Sequence, residues 1–94
     1  MIVFIQLSLS KTTYNMLNLK IVSPEKIEFE GDVERVVVPG TMGSFEILQN
    51  HAPIISSLEK GDVVYVTAEG KKSVSINAGF VSAQHNQVNL CVEL

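Results

Sequence analysis

From Leu17 onward, apolar and polar side chains alternate in short runs. Leu19 and Ile21 alternate with Asn18 and Lys20, Ile27 and Phe29 with Glu28 and Glu30, and Val74, Ile76 and Ala78 with Ser73, Ser75 and Asn77. Val88, Leu90 and Val92 repeat the pattern near the end. A period of two is what a strand with one buried face requires, because successive side chains leave opposite faces of the pleat. Turn formers stand among these runs: Ser23-Pro24, Glu30-Gly31-Asp32, Lys60-Gly61-Asp62, Glu69-Gly70 and His85-Asn86. Their regular spacing predicts an all-β chain folded as an antiparallel sandwich or barrel, with no long helix. The sharpest local expectation is a tight hairpin at Glu69-Gly70, between the Val63–Thr67 run and the Val74 strand.

Two runs break the alternation. Val36-Val37-Val38 and Val63-Val64-Tyr65-Val66 are apolar at successive positions, so hydrophobic side chains stand on both faces of each strand. Either these are central strands whose outer faces a neighbouring loop or the N-terminal segment covers, or they form a docking surface. In the second case each valine buried against a partner contributes up to ~1.5–3 kcal/mol before the costs of binding.

Residues 1–15, MIVFIQLSLSKTTYN, differ in character from the rest of the chain. The apolar run Met1–Leu9 is interrupted by Gln6 and Ser8 and falls well short of the ~20 residues of a membrane-spanning helix. It has neither the basic start nor the small-residue cleavage site of a secretory signal. We expect a start codon assigned too far upstream, so that 1–15 is an extension and 16–94 the domain; if translated, the extension should form a frayed or loosely packed tail.

Composition narrows the functional classes. At 94 residues the chain can bury one small core and sits near the low end of independent stability, so a partner would help to hold it. A net charge of −3, with a single arginine, argues against nucleic acid and against direct docking on anionic lipid. The lone Cys91 can form no internal disulfide, and its place between Leu90 and Val92 points to a small packed residue.

No catalytic set emerges. His51, His85, Cys91 and Glu46 are scattered, without the short ligand pairs that metal sites use. His51 reads as a turn residue that fixes local geometry or meets a partner, and His85 as a solvent-exposed residue of the turn Gln84–Gln87. No serine stands in a nucleophile elbow, and the pairs Glu28/Glu30 and Asp32/Glu34 have the spacing of a solvated strand face. GTMGSF lacks both the lysine ending of a phosphate loop and a helix to follow it. The expectation is no catalytic residue, no metal and no cofactor.

The most distinctive segment is Pro39–Ile55, PGTMGSFEILQNHAPII. Pro39 fixes φ, Gly40 and Gly43 permit positive φ, and Pro53 holds Ala52 extended, so few conformations join the two ends. Here the chain resembles the epsilon subunit of the rotary F-type ATP synthase, whose sandwich domain carries a PGxxGxFxILxxHAP pattern after a strand like Val33–Val38. The resemblance runs from about Asn18 to the C-terminus and takes in LKIVSPEKIEFEGDVERVVVPG, HAPII, LEKGDV and INAGFV. Two positions depart from it. The family often has an acidic residue where Ser44 stands and a small one where Glu46 stands, so the carboxylate is displaced along the loop. The family chain also continues into a two-helix hairpin, whereas this sequence stops at Leu94.

The resemblance implies a two-layer antiparallel β-sandwich of about nine to ten short strands. It implies a rotor subunit at the foot of the central stalk of a proton-translocating ATP synthase, one that transmits rotation without catalysis. Thr41, Met42, Gly43 and Ser44 would lie on the membrane c ring. His51, Ala52, Pro53 and Ile54 would face the gamma subunit, and so would Ala78, Gly79, Phe80 and Val81. Without the hairpin, the expected subunit lacks the brake on ATP hydrolysis and the nucleotide-binding motif of some relatives, so no nucleotide is expected. The location implied is the cytoplasmic face of the bacterial inner membrane, peripheral and held through the complex. The rival reading is a free-standing β-sandwich binding module for carbohydrate or peptide. It is weakened by the absence of tryptophan and by tyrosines at Tyr14 and Tyr65 alone.

Overall fold

The computed structural model describes residues 16–94; the expectations for residues 1–15 lie outside the described residues. Among the described residues nine strands succeed one another: β1 (Leu17–Val22), β2 (Ile27–Val33), β3 (Arg35–Val38), β4 (Phe45–Ile47), β5 (Ile54–Leu58), β6 (Gly61–Thr67), β7 (Gly70–Ile76), β8 (Ala78–Gln84) and β9 (Gln87–Glu93). They build the expected sandwich from a five-stranded sheet, β2-β1-β9-β8-β5, and a four-stranded sheet, β4-β3-β6-β7. Its strand pairs are antiparallel except β1 and β9, which run parallel in the middle of the larger sheet.

The alternation selects the core. Leu17, Leu19 and Ile21 of β1, Val81 and Ala83 of β8, and Val88, Leu90 and Val92 of β9 are buried from one sheet. Val36, Val38, Ile47, Val63, Tyr65 and Ile76 meet them from the other. The period that buries Leu90 and Val92 turns Cys91 outward, so the packed position expected of it is corrected: Cys91 is exposed. Tyr65 is part of this core, its ring centroid 4.6 Å from that of Phe29, which packs against the core.

Three other sequence expectations are corrected. Glu30-Gly31-Asp32 is no turn but part of β2, where Gly31 pairs with Leu19. The Phe29 ring lies over Gly31, 3.3 Å from where a Cβ would stand, so this glycine makes room for a ring and does not bend the chain. The chain bends instead at Glu34, where it leaves the larger sheet for the smaller and where the Glu34 N–H donates to the Val66 carbonyl at 2.7 Å. The run Val74–Ala78 is not one strand either, because at Asn77 the chain leaves β7 in the smaller sheet and enters β8 in the larger. Ile27, expected on the buried face, is half exposed, next to the register shift between Ile21 and Val22.

The tight hairpin forms where expected. Ala68 and Glu69 join β6 to β7, Thr67 pairs with Gly70, and the Glu69 N–H donates to Thr67 Oγ1 at 3.1 Å. The two-faced valine strands are central, as β3 and β6 pair with each other. Val37 and Val64 stand opposite one another on the outer face and, with Val66, are half-buried. Beside them the Arg35 Nη1 donates to Glu46 Oε2 at 3.0 Å, so the displaced carboxylate is held on this outer face.

Candidate functional site

One edge strand, β5, carries the residues of greatest interest. It is the last strand of the larger sheet and pairs on one side with β8. At its Leu58 end the chain leaving β3 crosses over from the smaller sheet. Gly40 bridges to Leu58, the Thr41 N–H donates to the Ser57 carbonyl at 3.2 Å, and the Glu59 N–H donates to the Pro39 carbonyl at 2.9 Å. The hydroxyls of Thr41 and Ser57 share a further hydrogen bond of 2.9 Å. These contacts fasten the turn after β3 onto the edge that would otherwise offer free backbone groups.

The turn itself comprises Gly40–Gly43, closed by the Gly43 N–H donating to the Gly40 carbonyl at 2.9 Å. Its two glycines serve different needs. Gly43 has φ +122° with open space around it, so conformation alone demands glycine. Gly40 does not use the positive φ that a glycine permits. A Cβ there would lie 2.7 Å from the Gly43 carbonyl and 2.9 Å from the Phe45 ring, so space demands glycine. Thr41, Met42, Gly43 and Ser44 are all exposed, Met42 to 98%.

At the other end of β5 lies the histidine turn. Asn50 takes φ 64°, and its N–H donates to Asn86 Oδ1 at 2.6 Å, while Asn86 Nδ2 reaches Asn50 Oδ1 at 3.4 Å. The β8–β9 turn supplies this clasp by placing His85 and Asn86 at φ 53° and 60°, the pair of left-handed residues that a two-residue hairpin needs. His51 Nδ1 lies 2.6 Å from the Ala52 carbonyl, which can only accept, so this nitrogen carries the proton. His51 is half-buried, Ala52, Pro53 and His85 are exposed, and together with both asparagines they line an open depression.

The residues expected to share one partner-facing surface are therefore divided. Ile54 pairs with Ala83 and Leu58 with Gly79, so the His51–Pro53 turn and Ala78–Phe80 lie at opposite ends of β5, about 13 Å apart at the usual strand rise. Within each group the strand period sorts the side chains. Val81 is fully buried, which removes it from any surface, and Ile54 packs against the core. Gly79 lies where β8 runs so near β9 that a Cβ would collide with the Cys91 carbonyl, and Ala78 is half-buried. Phe80 alone of that group projects strongly, at 50% exposed.

Ile55, the last residue of HAPII but not one of those expected to face gamma, is 80% exposed on the same outer face as Phe80. Phe80 pairs with Cys91, and Cys91 with Val22, so an apolar row crosses three strands of the larger sheet. Val22, Pro24, Phe80 and Cys91 border a shallow groove there. The signal is present in the sequence: in HAPII, placing Ile54 inside forces Ile55 outside. Among the described residues no three His, Cys, Asp or Glu side chains gather in one place.

Comparison with known proteins places this arrangement. A model of the ATP synthase Delta/Epsilon chain β-sandwich domain matches residues 16–94. The chain belongs to that family. It is 39% identical over 77 residues to the ATP synthase epsilon chain of Leptospira borgpetersenii, covering 82% of this chain and 61% of the relative. It is 42% identical over 78 residues to that of a Nitratiruptor species, covering 82% and 60%. The chain thus spans about three-fifths of the length of these relatives. Among solved structures, a chain in the Euglena gracilis mitochondrial ATP synthase OSCP/F1/c-ring structure shares the fold with a TM-score of 0.78 at 16% identity, over 83% of this chain and 51% of that one. A chain in the Tetrahymena thermophila central stalk/c-ring structure does so with a TM-score of 0.67 at 13% identity, over 82% and 63%.

Proposed function

We propose that this chain is a rotor component of the central stalk of an F-type ATP synthase, coupling the gamma subunit to the membrane c ring and contributing no catalytic group. Gamma lies against the outer face of β5 and β8, where Ile55 and Phe80 project, and against the His51–Pro53 turn. The ring meets the turn Thr41–Ser44. The protein is peripheral, on the cytoplasmic face of the membrane, and is held there through the complex. Membership of the epsilon-type sandwich family supports this reading, and so does one observation in particular: the exposed apolar face and the exposed turn are both anchored on β5.

Torque passing between two partners shears whatever joins them, and a two-layer sandwich cross-linked by ladders in both sheets resists shear better than a lone hairpin. The Thr41–Ser57 hydrogen bonds make the ring-facing turn part of the same strand that meets gamma.

The experiment is retention on immobilised gamma, alone and as a gamma–c-ring complex stripped of its own epsilon chain. Binding to gamma, with slower release when the ring is present, supports the proposal. Phe80→Ser should weaken gamma binding by about ten- to a hundredfold, as loss of a central aromatic contact does, without unfolding a side chain already half exposed. Passage of the folded wild-type chain through both columns overturns the proposal. For the binding-module alternative, Tyr65 is buried and cannot stack on a sugar.

A further inference from the structure

We infer that Asn86, at the tip of the β8–β9 hairpin, is a positioning residue for gamma binding, holding the His51–Pro53 turn in the shape that docks. This rests on the proposed stalk role and names what keeps one of its two gamma contacts ready. The connection 48–53 has little packing to fix it. Leu48, Asn50, Ala52 and Pro53 are exposed, Gln49 and His51 are no more than half-buried, and Pro53 has no N–H to give. Among the described residues, its internal hydrogen bonds run from the His51 N–H to the Leu48 carbonyl at 3.1 Å and from His51 Nδ1 to the Ala52 carbonyl at 2.6 Å. They shape the turn but do not fasten it to the sandwich.

Asn86 supplies the fastening. Its Oδ1 accepts the Asn50 N–H at 2.6 Å and its Nδ2 reaches Asn50 Oδ1 at 3.4 Å, while its own carbonyl accepts the Asn18 N–H at 2.9 Å. One residue thus ties the connection both to the start of β1 and to the end of β8, the strand that also carries Phe80. Its backbone sits at φ 60°, where asparagine is tolerated better than most residues, so the hairpin and not the turn it grips aims the side chain. The spacing between the His51–Pro53 turn and Phe80 is then set before gamma arrives. A partner that must wait for a turn to adopt one shape among several loses affinity in proportion to the fraction of time spent in that shape.

The test is binding of the full chain to immobilised gamma, resolved into association and release. Asn86→Gly keeps the positive φ, which glycine accepts freely, and removes the acceptor. It should bind about two- to tenfold more weakly, the worth of one net hydrogen bond, and the loss should fall on association because the turn must first find its shape. Asn86→Asp keeps both the conformation and an acceptor for the Asn50 N–H, and should restore the wild-type association rate. Phe80→Ser, in contrast, deletes a contact made within the complex and should speed release. Two results overturn the positioning role while sparing the stalk role: Asn86→Gly that associates as fast as wild type, or Asn86→Asp that associates as slowly as Asn86→Gly. Failure of the folded wild-type chain to bind gamma overturns both.

Discussion

Gly40 and Gly43 stand three residues apart for different reasons, and the difference is measurable. Gly43→Ala meets no atom and is penalised only by its positive φ, which should lower stability by about 1 kcal/mol. Gly40→Ala must push aside the Gly43 carbonyl and the Phe45 ring, and should cost about 1–3 kcal/mol. Urea denaturation of the two variants would test the order; a larger loss for Gly43→Ala would contradict it. Phe45 is half-buried, packed against the core edge, so Phe45→Ala should lose about 3 kcal/mol, the low end for a phenylalanine truncation. A melting temperature unchanged by that substitution would show the ring unpacked. Arg35→Ala, in contrast, breaks an ion pair whose side chains are 50% and 39% exposed, and the change should stay below about 1 kcal/mol.

Among the elements, the asparagine clasp ties the β4–β5 connection to the β8–β9 hairpin. Asn50→Ala keeps the backbone amide but puts alanine at φ 64°, so a loss of about 1 kcal/mol is expected. Asn86→Gly keeps the turn and deletes the acceptor, which should accelerate hydrogen exchange at the Asn50 amide more than it lowers global stability. An unchanged exchange rate would show that the amide has another partner. The strands themselves are legible in the sequence wherever one face is buried, because burial imposes the period of two: β1 and β9 follow it throughout, and Glu69-Gly70 announces its hairpin. Local pattern does not show which strand joins which sheet. The run Val74–Ala78 keeps unbroken alternation across Asn77 although the chain changes sheets there, since both sheets share one core and the pattern carries over. Gly31 misleads for a similar reason, as a glycine that admits a ring looks in sequence like one that makes a turn. The candidate site is half legible. The turn Thr41–Ser44 is exposed, whereas Val81 is placed outward because INAGFV is taken as a block although the pleat alternates within it, and the expected surface in HAPII stops at Ile54, one residue short of the exposed Ile55.

At the scale of the molecule, the two sheets meet at a corner built from Pro39, Gly40 and Thr41 on one side and Ser57, Leu58 and Glu59 on the other. That corner should make the proposed ring-facing turn and gamma-facing edge move as one body. The larger sheet carries a different consequence. Its central position is filled by β9, the last of the described strands, hydrogen-bonded on one side to the first of them, β1, and on the other to β8. A ribosome that has released everything up to Asn86 holds two strand sets with an unfilled slot between them, and β1 and β9, about 70 residues apart in the sequence, must meet before the slot closes. Folding of the sandwich should therefore wait for β9 to emerge: nascent chains arrested with Glu93 still inside the exit tunnel should be cut readily by protease, and those with it outside should resist.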